Sequence, residues 1–170
     1  MNLPNILTMF RLGLIPVYFL VFFSDLTYNM ELALLVIVLA GLTDIVDGYL
    51  ARKYGLITEL GSMLDPLADK LMMLSVVLSF VIDDRVSWLM AGLLIVRDLG
   101  MILASVVYVT QGKKTVPATI WGKMNTVLYY LALVALMFRW PNAEAYLWGV
   151  IILSFLISFH YMRRFRAMNI

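Results

Sequence analysis

Four aspartates fall in two pairs within one short stretch of an otherwise apolar chain: Asp44 with Asp47, and Asp65 with Asp69. Residues three or four apart share one face of a helix, so each pair can direct its carboxylates the same way. Hard divalent cations such as Mg²⁺ prefer oxygen ligands of this kind. Ionised groups at membrane depth are costly and indicate a functional site. With Arg52 nearby, the spacing predicts a site for divalent cations and a phosphorylated ligand.

The chemistry open to such a site is phosphoryl transfer. Two metal ions about 3.5–4 Å apart can clamp the attacking and leaving oxygens of a displacement at phosphorus. Gly48 and Ala51 lie among the carboxylates and are small enough for a ligand or a neighbouring backbone to approach closely. The planar guanidinium of Arg52 suits phosphate. Four like charges this close would repel one another without a cation, so a purely structural interpretation of the aspartates is weak.

The composition indicates that lipid is the solvent. Of the 170 residues, 63% are hydrophobic and 14% are charged, and the mean hydropathy is +0.92. Soluble domains are about 45–50% apolar, and each spanning helix needs roughly 20 apolar residues. Six spans would therefore use most of the chain. With no cysteine and one histidine, a thiolate nucleophile and a zinc cluster are excluded.

The apolar runs predict an all-α membrane protein, a bundle of six transmembrane helices that forms one domain over residues 1–170. The predicted spans are Ile6–Phe23, Leu32–Leu50, a third from Ser62 or Asp65 to Ile82, Val86–Thr110, Met124–Phe138, and a sixth that reaches Tyr161. The first aspartate pair then ends span two, a loop covers Arg52–Gly61, and the second pair opens span three. Pro66 is expected in the first turn of that span.

The distribution of basic residues predicts the topology. Alternate loops carry the basic clusters Arg52/Lys53, Lys113/Lys114/Lys123 and Arg163/Arg164/Arg166. The positive-inside rule places these loops on the cytoplasmic side of the inner membrane. We therefore expect both termini and the aspartate stretch to face the cytoplasm.

The spacing of the aspartates and their neighbours resembles a known family signature. Residues 44–69 read D-x2-D-G-x2-A-R-x8-G-x3-D-x3-D, which matches the signature of the CDP-alcohol phosphatidyltransferase family at every position. Eight specified residues coincide by chance on the order of 10⁻¹⁰ per starting position, at about 5–7% per residue type. The resemblance covers essentially the whole chain and implies a homodimeric enzyme with six transmembrane helices.

The resemblance also implies roles for individual residues. Asp44, Asp47, Asp65 and Asp69 would ligate Mg²⁺ or Mn²⁺, as two ions, and Asp69 would also be the catalytic base that takes a proton from the acceptor hydroxyl. The alcohol would attack the β-phosphorus of a CDP-linked lipid and release CMP. The residues that would bind the CDP-lipid are Asn5, Thr8, Gly48, Ala51, Arg52, Thr58 and Gly61.

The acceptor is predicted from the remaining charged residues. Arg97 lies in mid-span, where a charge is costly unless it pairs with Asp98 or lines a wet cavity. Arg97 and Lys123 are the candidates for binding an acceptor phosphate. The chain most resembles family members that use glycerol 3-phosphate, although the Arg97–Asp98 and Lys123–Thr126 segments also resemble members that use phosphatidylglycerol. No nucleic-acid partner is expected; a hypothesis of another class is a small divalent-cation transporter.

Overall fold

The structure is a computed structural model that describes residues 3–55, 59–110 and 120–168. It contains six helices: α1 Leu3–Phe22, α2 Asn29–Tyr54, α3 Glu59–Ile82, α4 Trp88–Thr110, α5 Ile120–Met137 and α6 Ala143–Met168. No strand occurs within those ranges. The prediction of an all-α fold is therefore confirmed.

Helix α2 ends later than the sequence predicted. It continues for a turn beyond Leu50 and stops at Gly55, which adopts a left-handed conformation (φ 64°) and donates its N–H to the carbonyl of Ala51. Glycine is the residue that accepts this conformation without steric cost, and so it ends helices often. Arg52 consequently lies in α2, and the prediction that it belongs to a loop is wrong.

Helices α3 and α5 both begin earlier than predicted. Helix α3 starts at Glu59, so Pro66 lies in its interior and the expected first-turn position is wrong. Helix α5 starts at Ile120 and includes Lys123, which the sequence had placed in a loop. Hydropathy marks only the apolar part of a helix and so predicts loops for the polar residues at its ends, whereas the hydrogen-bonded helix extends past the apolar part.

Within the part of the chain that the structure describes, four helices are long and apolar enough to cross a membrane, judged by length and composition. These segments are Asn5–Phe22, Asn29–Ala51, Ile120–Met137 and Ala143–Arg163. Helix α3 differs because Asp65, Asp69 and Lys70 fall in its first half. The chain is a membrane protein of helical type. The count of six spans and the orientation of the termini stay predictions.

The chain divides into two compact units, the first of which is Met1–Ile82. In this unit α1 packs against both α2 and α3. Tyr18 of α1 is fully buried, and its hydroxyl shares a 2.7 Å hydrogen bond with Ser79 of α3. Phe22 and Phe80 pack together one turn further along. Helix α1 is therefore the element that α2 and α3 share.

The second unit, Asp83–Ile170, is built around α6, which contacts α4 and α5. Its buried core includes Met90, Leu147 and Ile151. Arg85, in the turn before α4, donates to the last carbonyls of α5, at 3.1 Å to Leu136 and 2.5 Å to Met137. A cation at this end of a helix satisfies otherwise unpaired carbonyls and complements the helix dipole.

Asp83 holds this arginine in place. It accepts hydrogen bonds from Nε of Arg85 and from Nη2 of Arg139 at 3.3 Å. Partial burial raises the pKa of the Asp83 carboxyl, but the hydrogen bonds and charges of Arg85 and Arg139 outweigh burial and hold the pKa below its usual range. The ionised form is therefore stabilised in the folded protein.

Asp83→Asn is expected to lower the free energy of unfolding at pH 7 by about 1 kcal/mol, because the charge that Arg85 faces is removed. A carboxyl whose pKa is depressed on folding stabilises the protein above its unfolded pKa, near 3.9, and this contribution is lost as the pH falls through the folded pKa. The difference between the wild type and the variant should therefore shrink as the pH falls below the usual range of an aspartate pKa. Thermal unfolding in detergent at pH 7 and pH 3 measures this.

Asp25→Asn is the control for this substitution, since Asp25 is an exposed aspartate in the turn after α1. It should be within about 0.5 kcal/mol of wild type at both pH values. A constant gap between Asp83→Asn and wild type across the pH range would contradict the linkage.

Candidate active site

Helix α1 presents two buried polar side chains one turn apart. Thr8 is fully buried, and Arg11 is 1% exposed. They are three residues apart in a helix and so lie on one face. A buried guanidinium requires charged partners, because the cost of removing it from water is several kcal/mol. Both side chains find carboxylates on neighbouring helices.

Arg11 binds both members of the first aspartate pair. Its Nη1 lies 2.6 Å from Oδ1 of Asp44, and its Nη2 lies 2.5 Å from Oδ2 of Asp47. The two aspartates are three residues apart in α2, so both can face α1 at once. Their surroundings differ, because the side chain of Asp44 is 46% exposed and that of Asp47 is 3% exposed.

Thr8 brings in the second pair. Its hydroxyl donates a 2.6 Å hydrogen bond to Oδ1 of Asp65 in α3. Asp47 lies close enough to Asp44 and Asp65 for electrostatic repulsion among the three carboxylates. Helix α1 thus gathers carboxylates from α2 and α3 into one cluster. Arg11 pairs with two of these three carboxylates, Asp44 and Asp47, and Thr8 binds the third, Asp65.

The other predicted residues of this unit lie on the same three helices. Asp69 is exposed one turn after Asp65 in α3, and Asn5 is buried one turn before Thr8 in α1. Gly48 and Ala51 are partly buried in α2, and Gly61 is buried in α3. The backbone of Arg52 is in α2, and Thr58 lies outside the described residues. Contact of these residues with a CDP-lipid stays a prediction.

The chemistry of the donor set fits a divalent cation. Asp44, Asp47 and Asp65 offer only hard oxygen atoms, the ligands of Mg²⁺ and Mn²⁺. Arg11 contacts one oxygen of Asp44 and one of Asp47, and a carboxylate has two oxygens with about four acceptor directions. Within the described residues, no three acidic or histidine side chains are placed to hold a metal as they stand. The four-aspartate metal centre therefore stays a prediction.

The acceptor-phosphate candidates belong to the second unit. Arg97 of α4 donates from Nε to the hydroxyl of Ser158 in α6 at 3.2 Å, and its Nη1 pairs with Asp98 at 2.7 Å. This pairing is the alternative to a wet cavity that the sequence left open. The backbone of Lys123 lies in the first turn of α5. Phosphate binding by Arg97 and Lys123 stays a prediction.

Arg11 is a residue of this cluster to which the sequence analysis assigns no role. The available signal was its isolation, since it is the one charged residue of an otherwise apolar α1. An ionisable residue inside a membrane helix is costly and pairs with another charge. The pairing was missed because the partners lie 33 and 36 residues away, and hydropathy carries no information on which helices pack together.

Comparison with known proteins identifies the family. The sequence profile of the CDP-alcohol phosphatidyltransferase family matches residues 1–159. The chain is 37% identical over 136 residues to the CDP-diacylglycerol–glycerol-3-phosphate 3-phosphatidyltransferase of Rickettsia felis, covering 80% of this chain and 75% of the relative. The protein with the same name from Escherichia coli K12 is 35% identical over 145 residues, covering 83% and 79%. Members of the family generally use a divalent metal.

A third relative of the same name, from Pectobacterium atrosepticum, is 37% identical over 142 residues, covering 81% of this chain and 78% of the relative. The profile match spans nearly all of the chain and includes the cluster of carboxylates gathered by α1. The chain belongs to the CDP-alcohol phosphatidyltransferase family and is a phosphatidyltransferase enzyme of phospholipid biosynthesis.

Proposed function

We propose that this enzyme transfers the phosphatidyl group of CDP-diacylglycerol to glycerol 3-phosphate, forming phosphatidylglycerophosphate and releasing CMP. The names of the three relatives support the choice of donor and acceptor. The structural observation that carries the proposal is the convergence of Asp44, Asp47 and Asp65 around Arg11 and Thr8. Such a cluster suits a reaction whose substrates are all phosphate esters.

The metal ligands in this proposal are Asp44, Asp47, Asp65 and Asp69, and the metal is Mg²⁺ or Mn²⁺, bound as two ions. When bound, the metal would neutralise the diphosphate and stabilise the charge that develops on the phosphoryl oxygens. The aspartates lie on two helices that share α1 as a packing partner. Their contribution is to hold the ligand oxygens in place.

Asp69 is the proposed base. It takes the proton of the attacking hydroxyl of glycerol 3-phosphate, the hydroxyl oxygen bonds to the β-phosphorus, and the bond from that phosphorus to the bridging oxygen breaks, so that CMP leaves. Asp69 suits the role of base because it is exposed in α3, one turn after Asp65. A base must be reachable by the substrate that it deprotonates.

The proposed CDP-lipid site follows the same three helices. Asn5 and Thr8 lie on α1, Gly48, Ala51 and Arg52 on α2, and Gly61 on α3. Thr58 completes the proposed set. A threonine hydroxyl that donates to a carboxylate can still accept a hydrogen bond. The contact between Thr8 and Asp65 is therefore compatible with nucleotide binding.

The acceptor phosphate is assigned to Arg97 and Lys123, because a phosphorylated acceptor needs fixed positive charge. Arg97 is partly buried, and its Nε and Nη1 are held by Ser158 and Asp98. In this proposal the acceptor phosphate competes with Asp98 for the guanidinium of Arg97. In the proposed arrangement the enzyme is a homodimer in the inner membrane, with both termini and the active site on the cytoplasmic side.

The purified enzyme, supplied with CDP-diacylglycerol and Mg²⁺ or Mn²⁺, is expected to release CMP when glycerol 3-phosphate is the acceptor. Phosphatidylglycerol, inositol phosphate and serine, offered separately, should give no CMP above the background without acceptor. The test is a direct measurement of CMP with each acceptor. EDTA should abolish the release, and added Mn²⁺ should restore it.

Other outcomes of this assay identify the alternatives. CMP release with phosphatidylglycerol alone would assign the enzyme to cardiolipin synthesis of the CDP-alcohol type. Metal uptake into proteoliposomes without turnover of CDP-diacylglycerol would favour a cation transporter and contradict the proposal.

A further inference from the structure

The guanidinium of Arg11 joins two residues rather than one. Its two terminal nitrogens contact different carboxylates, Nη1 that of Asp44 and Nη2 that of Asp47. The two nitrogens belong to one rigid plane, so the side chain that binds the carboxylates limits how far apart they can lie. Nη2 donates a hydrogen bond to Asp47. Nε and Nη1 are buried and form no hydrogen bond among the described residues, so the contact of Nη1 with Asp44 is an ion pair. The contacts of this arginine are thus concentrated on the aspartate pair.

Thr8 makes the corresponding contact between α1 and α3. Its hydroxyl donates to Asp65 from a fully buried position one turn before Arg11. Fully buried side chains have little freedom to choose other rotamers. Thr8 and Arg11 therefore form a rigid edge of α1 against which one carboxylate of α3 and two carboxylates of α2 are aligned.

We propose that α1 positions the metal ligands, with Arg11 and Thr8 as the positioning residues that hold Asp44, Asp47 and Asp65 ready for divalent cations. This inference rests on the proposed metal site. Hydrogen-bonding partners of metal ligands orient the ligands, and their loss typically lowers metal affinity by about 10–100-fold. Without Arg11, the like charges of Asp44 and Asp47 would separate.

An effect of charge alone would change the metal affinity in the opposite direction when Arg11 is replaced. Arg11 is a cation, so its repulsion of an incoming cation lowers the affinity of the site, and removal of its charge would strengthen metal binding. Lysine separates the two effects, because it keeps the positive charge but presents one nitrogen instead of a planar fork. Arg11→Lys is therefore the variant that isolates the geometry.

The experiment uses the full chain in detergent, without nucleotide, and measures the binding of Mn²⁺ alone by the loss of its free electron paramagnetic resonance signal. Arg11→Lys is expected to raise the Kd for Mn²⁺ by about tenfold or more. Thr8→Val, which removes the hydroxyl but keeps the shape, should also raise the Kd, whereas Thr8→Ser should restore binding. The Thr8 pair provides the test if Arg11→Lys fails to fold.

Tyr18→Phe is the matched control. It removes a buried hydrogen bond between α1 and Ser79 of α3, two turns away from Arg11 along the same helix. Its Kd for Mn²⁺ should equal that of the wild type, even if thermal unfolding shows lower stability. Equal weakening by Tyr18→Phe and Arg11→Lys would mean that α1 acts only through general packing, and would overturn the inference.

The remaining outcomes separate the inference from the proposed function. Wild-type binding of Mn²⁺ together with an unchanged or lower Kd in Arg11→Lys overturns the role of Arg11. An equal Kd in Thr8→Val and Thr8→Ser overturns the role of Thr8. Failure of the wild type to bind Mn²⁺ would remove the proposed metal site itself, and the positioning role with it.

Discussion

Asp69→Asn is expected to lower CMP release by about 10²–10⁴-fold while CDP-diacylglycerol still binds. Asparagine has nearly the shape of aspartate but cannot take the proton of an attacking hydroxyl, and a positioned general base contributes a rate factor of this size. Asp69 is exposed in α3, so the substitution should change the free energy of unfolding by no more than about 0.5 kcal/mol. Turnover and binding of radiolabelled CDP-diacylglycerol are measured on the same preparation.

Asp69→Glu is the informative companion, since it keeps a carboxylate and should retain more turnover than Asp69→Asn. Full activity of Asp69→Asn would remove Asp69 from the base role. Loss of both turnover and CDP-diacylglycerol binding would instead indicate that Asp69 serves chiefly to hold the donor.

The two aspartates that Arg11 binds should respond very differently in stability. Asp47→Asn is expected to lower the free energy of unfolding by about 3 kcal/mol, because a buried guanidinium loses a buried partner. Asp44 still faces Arg11 in that variant, which keeps the cost at the lower end of the usual range of about 3–5 kcal/mol. Asp44→Asn should cost less than about 1 kcal/mol, because Asp44 is half exposed and solvent screens its pairing.

Both substitutions should abolish CMP release if both aspartates ligate metal, so activity alone cannot distinguish them. Thermal unfolding of the metal-free proteins in EDTA makes the distinction, because bound metal would otherwise add its own stabilisation. Equal destabilisation by Asp44→Asn and Asp47→Asn would contradict the difference in burial. Full turnover in either variant would remove that aspartate from the proposed ligand set.

Much of the fold followed from local pattern. Long apolar runs predicted helices, and all six appear where runs were found, because hydropathy over a span is a property of neighbouring residues. The predicted positions of the helix ends were less accurate. The loop predicted to begin at Arg52 begins later in the structure, because α2 continues to Tyr54 and Gly55 provides its left-handed end. That signal was present in the sequence, since a glycine after the last helical residues is a common stop.

For the candidate site too, the sequence predicted the local features but not the contacts between helices. Spacing alone placed Asp44 with Asp47 and Asp65 with Asp69 on shared helix faces, because helical periodicity is fixed by the backbone. It could not show that α1 packs against both α2 and α3, or that Thr8 and Arg11 bind three of the four carboxylates.

By itself, then, the sequence determined the helical class, the carboxylate spacing and the family, all of which depend on residues close together along the chain. The tertiary structure alone decided that Asp47 is buried against Arg11 while Asp44 stays half exposed. The physical reason is that burial and ion pairing depend on which helices pack together, and contacts between residues 33 to 57 positions apart are not encoded in any local period.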